Sequence, residues 1–97
     1  MSRALAVVRP RLSRVPVHRI VVDVMLKPEI LDPAGQAVSN ALPSLGLPAA
    51  ASLRIGKHVE LALEAEDADT ALEQATKMAE VLLVNPVIED FTVRLLP

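Results

Sequence analysis

The side chains best suited to proton transfer, metal binding or nucleophilic attack are widely scattered in this sequence. His18 and His58 have no second ligand at helical or hairpin spacing, which favours surface or interface histidines over a metal or acid–base role. Ser39, Ser44 and Ser52 lie outside any nucleophile-elbow pattern. The chain has no cysteine, which excludes thiolate metal sites, disulfides and cysteine nucleophiles.

The carboxylates do not form a catalytic pair either. Asp67 and Asp69 stand where a helix begins and suit a cap and a first turn. Glu89 and Asp90 point to opposite faces if their segment is a strand, so they cannot act as a dyad. We therefore expect no catalytic, cofactor-binding or metal-binding residue in this chain.

The segment "KPEILDPAGQAVSNAL", residues 27–42, has the strongest local signal. Asp32 can cap a helix whose first residue is Pro33. Gly35 is less expected, because glycine in a first turn is less stable than alanine. This helix start is therefore either a plain structural cap or a place where a neighbouring strand or a partner protein approaches the backbone closely. Phosphate binding at this helix start is the least favoured interpretation, because Asp32 already occupies the donors and adds negative charge.

The segment "RIGK" places two cations, Arg54 and Lys57, around Gly56. Alternating residues on either side predict two short strands joined there by a tight turn or bulge. A protruding basic hairpin could dock on a partner, and a solvated turn is the alternative.

Composition and charge exclude several classes of protein. Apolar residues make up 52% of the 97, but aromatic residues only 1%, so base stacking on single-stranded nucleic acid is nearly excluded. Residues 18–97 carry six basic and twelve acidic side chains, a poor match for phosphate backbones. No apolar stretch approaches the roughly 18 residues of a membrane span. We expect a cytoplasmic protein with no nucleic-acid or membrane partner.

The first 17 residues differ from the rest. They carry four arginines and no acidic residue, and their apolar run is too short for a signal peptide. We interpret residues 1–17 as a flexible basic extension or the product of an upstream start codon. A basic arm that touches a partner is the alternative. We expect residues 18–97 to form one α+β domain.

Hydrophobic periodicity within 18–97 predicts six elements. "HRIVVDVMLK" alternates as a half-buried strand until Pro28. A helix follows Asp32, shortened or kinked by Pro43 and stopped by Gly46. Its apolar stripe comprises Ala34, Ala37, Val38, Ala41, Leu42 and Leu45.

Two strands then flank Gly56, with Leu53 and Ile55 before it. A second helix runs from Asp67 to Asn85-Pro86, with a buried stripe of Ala71, Leu72, Ala75, Met78, Ala79 and Leu82. The last strand alternates through Val87, Phe91, Val93 and Leu95.

The order strand, helix, strand, strand, helix, strand predicts an α+β, ferredoxin-like fold. Its four-stranded antiparallel sheet would carry two helices on one face. Val21 and Met25 on the bare face indicate that another subunit covers part of it.

Three spaced segments resemble one family. "KPEILDPAGQAVSNAL", "LRIGKHVELALEAED" and "LLVNPVIEDFTV" are similar to PurS, the small subunit of bacterial phosphoribosylformylglycinamidine (FGAM) synthase. The resemblance spans residues 18–97. The resemblance implies a set of candidate residues for contact with partner proteins. They are Asp32, Pro33, Gly35, Arg54, Gly56, Lys57, Asn85, Pro86, Glu89 and Asp90.

The resemblance implies a role in de novo purine (IMP) biosynthesis. PurS is a noncatalytic homo-oligomer, a dimer or tetramer, that bridges the ATP-dependent synthetase subunit PurL and the glutaminase subunit PurQ and supports ammonia transfer. ATP, magnesium and glutamine would be used by those partners and not by this subunit. An ACT-type domain that senses a small effector is the alternative, because it shares the predicted order of elements.

Overall fold

The computed structural model describes residues 15–97. Its elements are β1 (Val17–Leu26), α1 (Pro33–Ala41), β2 (Lys57–Glu64), α2 (Ala68–Met78) and β3 (Glu89–Leu95). A 3₁₀ turn, Pro43–Leu45, follows α1, and a π-helical turn, Ala79–Leu83, continues α2. Neither helix in this range is long and apolar enough to cross a membrane.

The sheet has the order β2-β1-β3, and β1 is antiparallel to both neighbours. The alternation of β1 places Ile20, Val22 and Val24 on the side that packs against α2, and all three are buried. The small residues Ala71, Ala75 and Ala79 meet them, which lets the helix lie close to the sheet. The core is therefore aliphatic, as the composition predicts.

The prediction of four strands is not confirmed, because residues 15–97 form three. The expected strand through Leu53 and Ile55 is irregular chain. Ile55 donates its backbone N–H to the Asp32 carboxylate instead of to a neighbouring strand. Gly56 lies so close to β1 that an added Cβ would collide with the Val24 carbonyl. No hairpin forms, and "RIGK" leads straight into β2.

The predicted packing of both helices on one face also differs from the structure. Within residues 15–97 the two core clusters contain residues of α2 and none of α1, whose buried residue is Gly35. Pro43 and Gly46 act as expected. The α-helix ends at Ala41, and Gly46 closes the 3₁₀ turn in the left-handed conformation with φ of 77°.

The π-helical turn changes which side chains face the core after α2. Its closing bond runs from the Val84 N–H to the Ala79 carbonyl at 3.0 Å. The extra residue in this turn rotates the helix, so that Leu83 and Val84 pack inward. Leu82, predicted to be buried, is 82% exposed.

Three further predictions concern the start of the last strand, the bare face of the sheet and the basic extension. Val87, assigned to the last strand, lies in the turn before it and is exposed. Val21 and Met25 were expected to be covered by another subunit. Val21 is already buried within the single chain, whereas Met25 on the same side of the sheet is exposed. The predicted basic extension lies largely outside the described residues. From position 15 onwards the chain is described, and Pro16 accepts a hydrogen bond from Ala65.

Candidate functional site

One end of the sheet gathers the residues that the sequence marks as partner contacts. Because β1 is antiparallel to both neighbours, its last residues lie beside the first residues of β2 and β3. Val24 pairs with Lys57, and Leu26 pairs with Glu89. We call this region the strand-end surface, and it comprises Asp32, Pro33, Gly35, Arg54, Gly56, Lys57, Asn85, Pro86, Glu89 and Asp90.

Asp32 ties two segments of this surface together. Its Oδ1 accepts the Gly35 N–H at 2.9 Å and its Oδ2 accepts the Ile55 N–H at 2.8 Å. The carboxylate is buried, and the hydrogen bonds from Gly35 and then Ile55 hold its pKa below the usual value of 3.8. The predicted N-cap is confirmed, and the same side chain also fixes segment 52–56.

The close approach predicted at Gly35 is present, and the approaching groups belong to the same chain. A Cβ at this position would collide with the Asp32 carboxylate and would lie 2.9 Å from the Leu53 carbonyl oxygen. The N–H of Gln36 is also occupied, by the Asp32 carbonyl at 2.9 Å. These helix-start donors are engaged within the chain, which counts against the phosphate interpretation.

Arg54 holds the turn that follows β1. Its Nη2 lies within hydrogen-bonding distance of the carbonyl oxygens of Leu26, Lys27 and Ile30, at 3.3, 3.0 and 3.3 Å. Gly56 packs on the same strand end, where a Cβ would meet the Met25 thioether. Segment 52–56 is thus a strap across the end of β1, held by Asp32, Arg54 and the contact at Gly56.

The other half of the surface braces the turn into β3. Lys57 donates to the Leu83 carbonyl at 3.1 Å, and its Nζ lies 3.8 Å from Glu89 Oε2. Glu89 Oε1 accepts the Asn85 N–H at 2.7 Å. Asn85 in turn accepts the Val87 N–H at 3.1 Å. The polar groups of this motif therefore shape the turn.

Asp90 closes the surface by pairing with the end of β1. Its Oδ1 lies 2.7 Å from Lys27 Nζ. This hydrogen bond raises the pKa of Lys27, against a smaller opposing effect of desolvation. The pair is partly solvent-exposed, so it orients the two strand ends more than it stabilises the fold.

The strand-end surface combines apolar and charged side chains around two shallow depressions. A depression of about 330 Å³ is lined by residues that include the apolar Val24, Leu26 and Ile55 and the charged Lys57 and Glu89. A neighbouring depression of about 530 Å³ is bordered by residues that include Arg54 and Asp90. Asp32 and Gly35 are buried and Glu89 is half-buried, whereas the other seven candidates are exposed. The arrangement is typical of a protein contact site.

Sequence reasoning missed a charge cluster on the opposite face of the sheet. His58 Nδ1 lies 2.7 Å from Asp23, and its Nε2 lies 3.0 Å from Glu60. Arg94 Nε lies 3.5 Å from Asp23. Hydrogen bonds to Asp23 and Glu60 raise the pKa of His58 above 6.5. The spacing of His58 and Glu60 was a signal, but only the strand register brings Asp23 beside them.

Two other residues considered from the sequence, His18 and Asp67, make structural contacts. His18 Nε2 lies 3.1 Å from the Ala65 carbonyl at the start of β1. Asp67 caps α2, with its Oδ1 accepting the Thr70 N–H at 2.8 Å. In the described range, 15–97, no group of three or more His, Asp or Glu side chains is placed to hold a metal ion.

Comparison with known proteins gives one family throughout. The family model described as PurS, phosphoribosylformylglycinamidine (FGAM) synthase, matches residues 19–97. A PurS subunit of that synthase from Synechocystis is 46% identical over 84 residues, which covers 87% of this chain and 82% of the relative. The Bacillus subtilis subunit is 42% identical over 74 residues, covering 76% and 87%.

Solved structures agree with the sequence comparison. The purS subunit of Thermotoga maritima superposes with a TM-score of 0.80 and 36% identity, over 90% of this chain and 100% of that one. A chain in the structure of PurLQS from the same organism gives 0.78 and 36%, over 84% and 99%.

The fold is thus that of small α+β subunits of a multi-subunit synthase of purine biosynthesis. This chain belongs to the PurS family of phosphoribosylformylglycinamidine synthase. Membership of the PurS family favours the interpretation of this chain as a synthase subunit over its interpretation as an ACT-type sensing domain.

Proposed function

We propose that this chain is a noncatalytic assembly subunit of FGAM synthase in de novo purine biosynthesis. In this role it joins the synthetase subunit PurL to the glutaminase subunit PurQ in the cytoplasm and supports the passage of ammonia between them. ATP, magnesium and glutamine bind to those partners, and this chain binds no cofactor. It acts as a homo-oligomer, a dimer or a tetramer.

The observation that carries this proposal is the likeness to a chain of the Thermotoga maritima PurLQS structure. That likeness covers 99% of the other chain and 84% of this one, at 36% identity. A match over the whole length of the related subunit supports a shared role in assembly and not only a shared fold.

The strand-end surface supports the proposal because it is a shaped and firmly held surface. Asp32 and Arg54 fix the strap, and Glu89 and Asn85 fix the turn into β3. A surface that is ordered before binding loses less conformational entropy when a partner docks. Arg54 and Lys57 are exposed, and besides the backbone carbonyls of their own chain their cations can contact an acidic patch of a partner.

An alanine pair tests this contact. Arg54→Ala with Lys57→Ala should weaken binding to the PurL–PurQ pair several-fold, because exposed charge pairs each contribute up to about 1 kcal/mol. A matched pair, Arg19→Ala with Lys77→Ala, removes the same charges from exposed positions elsewhere and should leave binding unchanged. Affinity is measured by titration with the isolated partners.

Thermal unfolding of each variant accompanies the titration, since Arg54 also holds backbone carbonyls. Equal affinity of both pairs of variants, in chains that remain folded, would remove the strand-end surface from the proposal. The proposed role in assembly would then have to use another face.

A further inference from the structure

The apolar stripe of helix α1 is not packed against the core of its own chain, although its periodicity predicts that it is buried. The apolar stripe is largely exposed, with Val38 at 43% and Leu45 in the following turn at 71%. A nine-residue helix is too short to be stable alone in water and normally depends on packing of its apolar face. Among the described residues the stripe has no part in either core cluster.

The chain around α1 has the composition of an interface. No residue from position 33 to position 53 is charged. By contrast, the exposed side of α2 carries Asp69, Glu73 and Lys77. Charged residues are depleted where protein interfaces are fully buried, and they are normally frequent on surfaces that face water. An exposed segment without charge therefore indicates a surface that is buried in the assembled protein.

The helix-bearing side of the sheet has room for another helix. A helix is about 10 Å wide and strands lie about 4.8 Å apart, so one helix covers roughly two strands. Helix α2 lies mainly over β1 and β3 and contacts β2 less. The inward side chains of β2, Val59, Leu61 and Leu63, remain half-exposed as a result. They form an apolar lane beside α2, which we call the β2 lane.

The α1 helix of the same chain is held away from the β2 lane at its start. The Asp32 carboxylate binds Gly35 and Ile55, and Gly35 sits against the Leu53 carbonyl. These contacts anchor the first turn of α1 on the strap at the end of the sheet. One chain thus presents an exposed apolar helix stripe and a half-exposed apolar lane that fit the same kind of contact.

We propose that α1 of one copy docks in the β2 lane of a second copy, and that the exchange is reciprocal. A two-fold arrangement satisfies both surfaces of both chains at once. The small side chains Ala34, Ala37 and Ala41 allow the helix to approach the sheet closely, as the alanines of α2 do. The inference deepens the proposed homo-oligomer by giving the contact that forms it.

Cross-linking tests the exchange directly, because the native chain has no cysteine. Two single variants are mixed, Ala41→Cys on the stripe of α1 and Leu61→Cys at the middle of the β2 lane, with a tag on one of them. A short bismaleimide should join the two different chains. Asn40→Cys, on the polar side of the same helix, is the matched control and should give little product with Leu61→Cys.

Two results would overturn the exchange. One is a product from Ala41→Cys no greater than that from Asn40→Cys. The other is a cross-link within single chains of the Ala41→Cys/Leu61→Cys double variant at high dilution, which would place α1 on its own sheet. If Leu61→Cys does not fold, Val59→Cys occupies the same lane.

A charge placed in the stripe gives a second readout. Val38→Asp should raise the concentration at which the oligomer dissociates about ten-fold or more, as expected for a buried interface centre. Gln36→Asp, on the polar side, should leave that concentration unchanged. Analytical ultracentrifugation measures both, and equal midpoints would contradict the inference. Neither assay contains PurL or PurQ. A negative result would therefore contradict the proposed contact between copies without contradicting the proposed assembly with PurL and PurQ.

Discussion

The Asp32 carboxylate receives two backbone donors from separate segments, whereas Asp67 receives a single backbone donor from its own helix. The two residues look alike in sequence, since each precedes a helix. They differ in what the carboxylate must do. At Asp32 both oxygens accept donors from two separate segments, whereas at Asp67 the carboxylate is hydrogen-bonded by the backbone N–H and the side chain of one residue, Thr70, in the first turn of its own helix.

Asparagine substitution separates the two roles. Asn has one acceptor oxygen, so Asp32→Asn must leave Gly35 or Ile55 without its partner. Asp67→Asn keeps an acceptor oxygen for the Thr70 N–H, and Asn caps helices about as well as Asp. We expect Asp32→Asn to lower the melting temperature by several degrees and Asp67→Asn to change it much less. Equal effects by calorimetry would contradict the two-segment role of Asp32.

Gly35 is explained by contacts within the chain. Gly35→Ala should destabilise the protein by about 1–3 kcal/mol, the usual cost of overpacking, because the methyl group meets Asp32 and the Leu53 carbonyl. Gly46→Asn is the control. It occupies a left-handed position with no atom nearby, and Asn tolerates that conformation. Urea unfolding should show a loss for Gly35→Ala alone, and an unchanged midpoint would refute the packing account.

His58 makes stability depend on pH. Its pKa in the folded protein is raised above 6.5 by Asp23 and Glu60, so the folded state binds its proton more tightly than the unfolded state does. This contribution is fully present below about pH 6.5 and is lost as the pH rises through the raised value. The stability difference between the native protein and His58→Gln should therefore be larger at about pH 5.5 than at about pH 8.5. A difference independent of pH would contradict the contact.

At the scale of elements, periodicity predicted both helices and three of the four expected strands. The fourth was wrong because alternation of Leu53 and Ile55 does not show where their backbone groups bond. The side chain of Asp32, far away in sequence, accepts the Ile55 N–H that a strand would use. The antiparallel register brings the ends of the three strands together, and hydrogen bonds of Asp32, Arg54 and Glu89 hold the remaining candidate residues there, neither of which sequence alone shows. Nor could sequence show that the π turn rotates Leu82 outward, since periodicity assumes a regular helix.

The strap itself can be tested by hydrogen exchange. Arg54→Ala removes the guanidinium from three carbonyls, so the amides of Ile55 and Gly56 should exchange faster. The amides paired between β1 and β2 should be unchanged, and Arg19→Ala should leave the strap as it is. Unchanged exchange at Ile55 and Gly56 would show that Arg54 does not hold the segment.

At the scale of the whole molecule, the described core is formed by the sheet and helix α2. Two surfaces outside this core are suited to contacts with other protein chains. The strand-end surface carries charged side chains, and the stripe of α1 with the β2 lane is apolar. The first suits a partner of different chemistry and the second suits another copy. A small aliphatic core gains from such burial, because a domain of this size buries only about 60–70% of its unfolded surface alone.

Reconstitution of the synthase reaction tests the proposed role most directly. PurL and PurQ are assayed with and without this chain, using glutamine or ammonia as the nitrogen source. We expect no activity from this chain alone, glutamine-dependent synthesis only when all three are present, and ammonia-dependent synthesis from PurL without it. A PurL–PurQ pair that uses glutamine equally well in the absence of this chain would contradict the proposal.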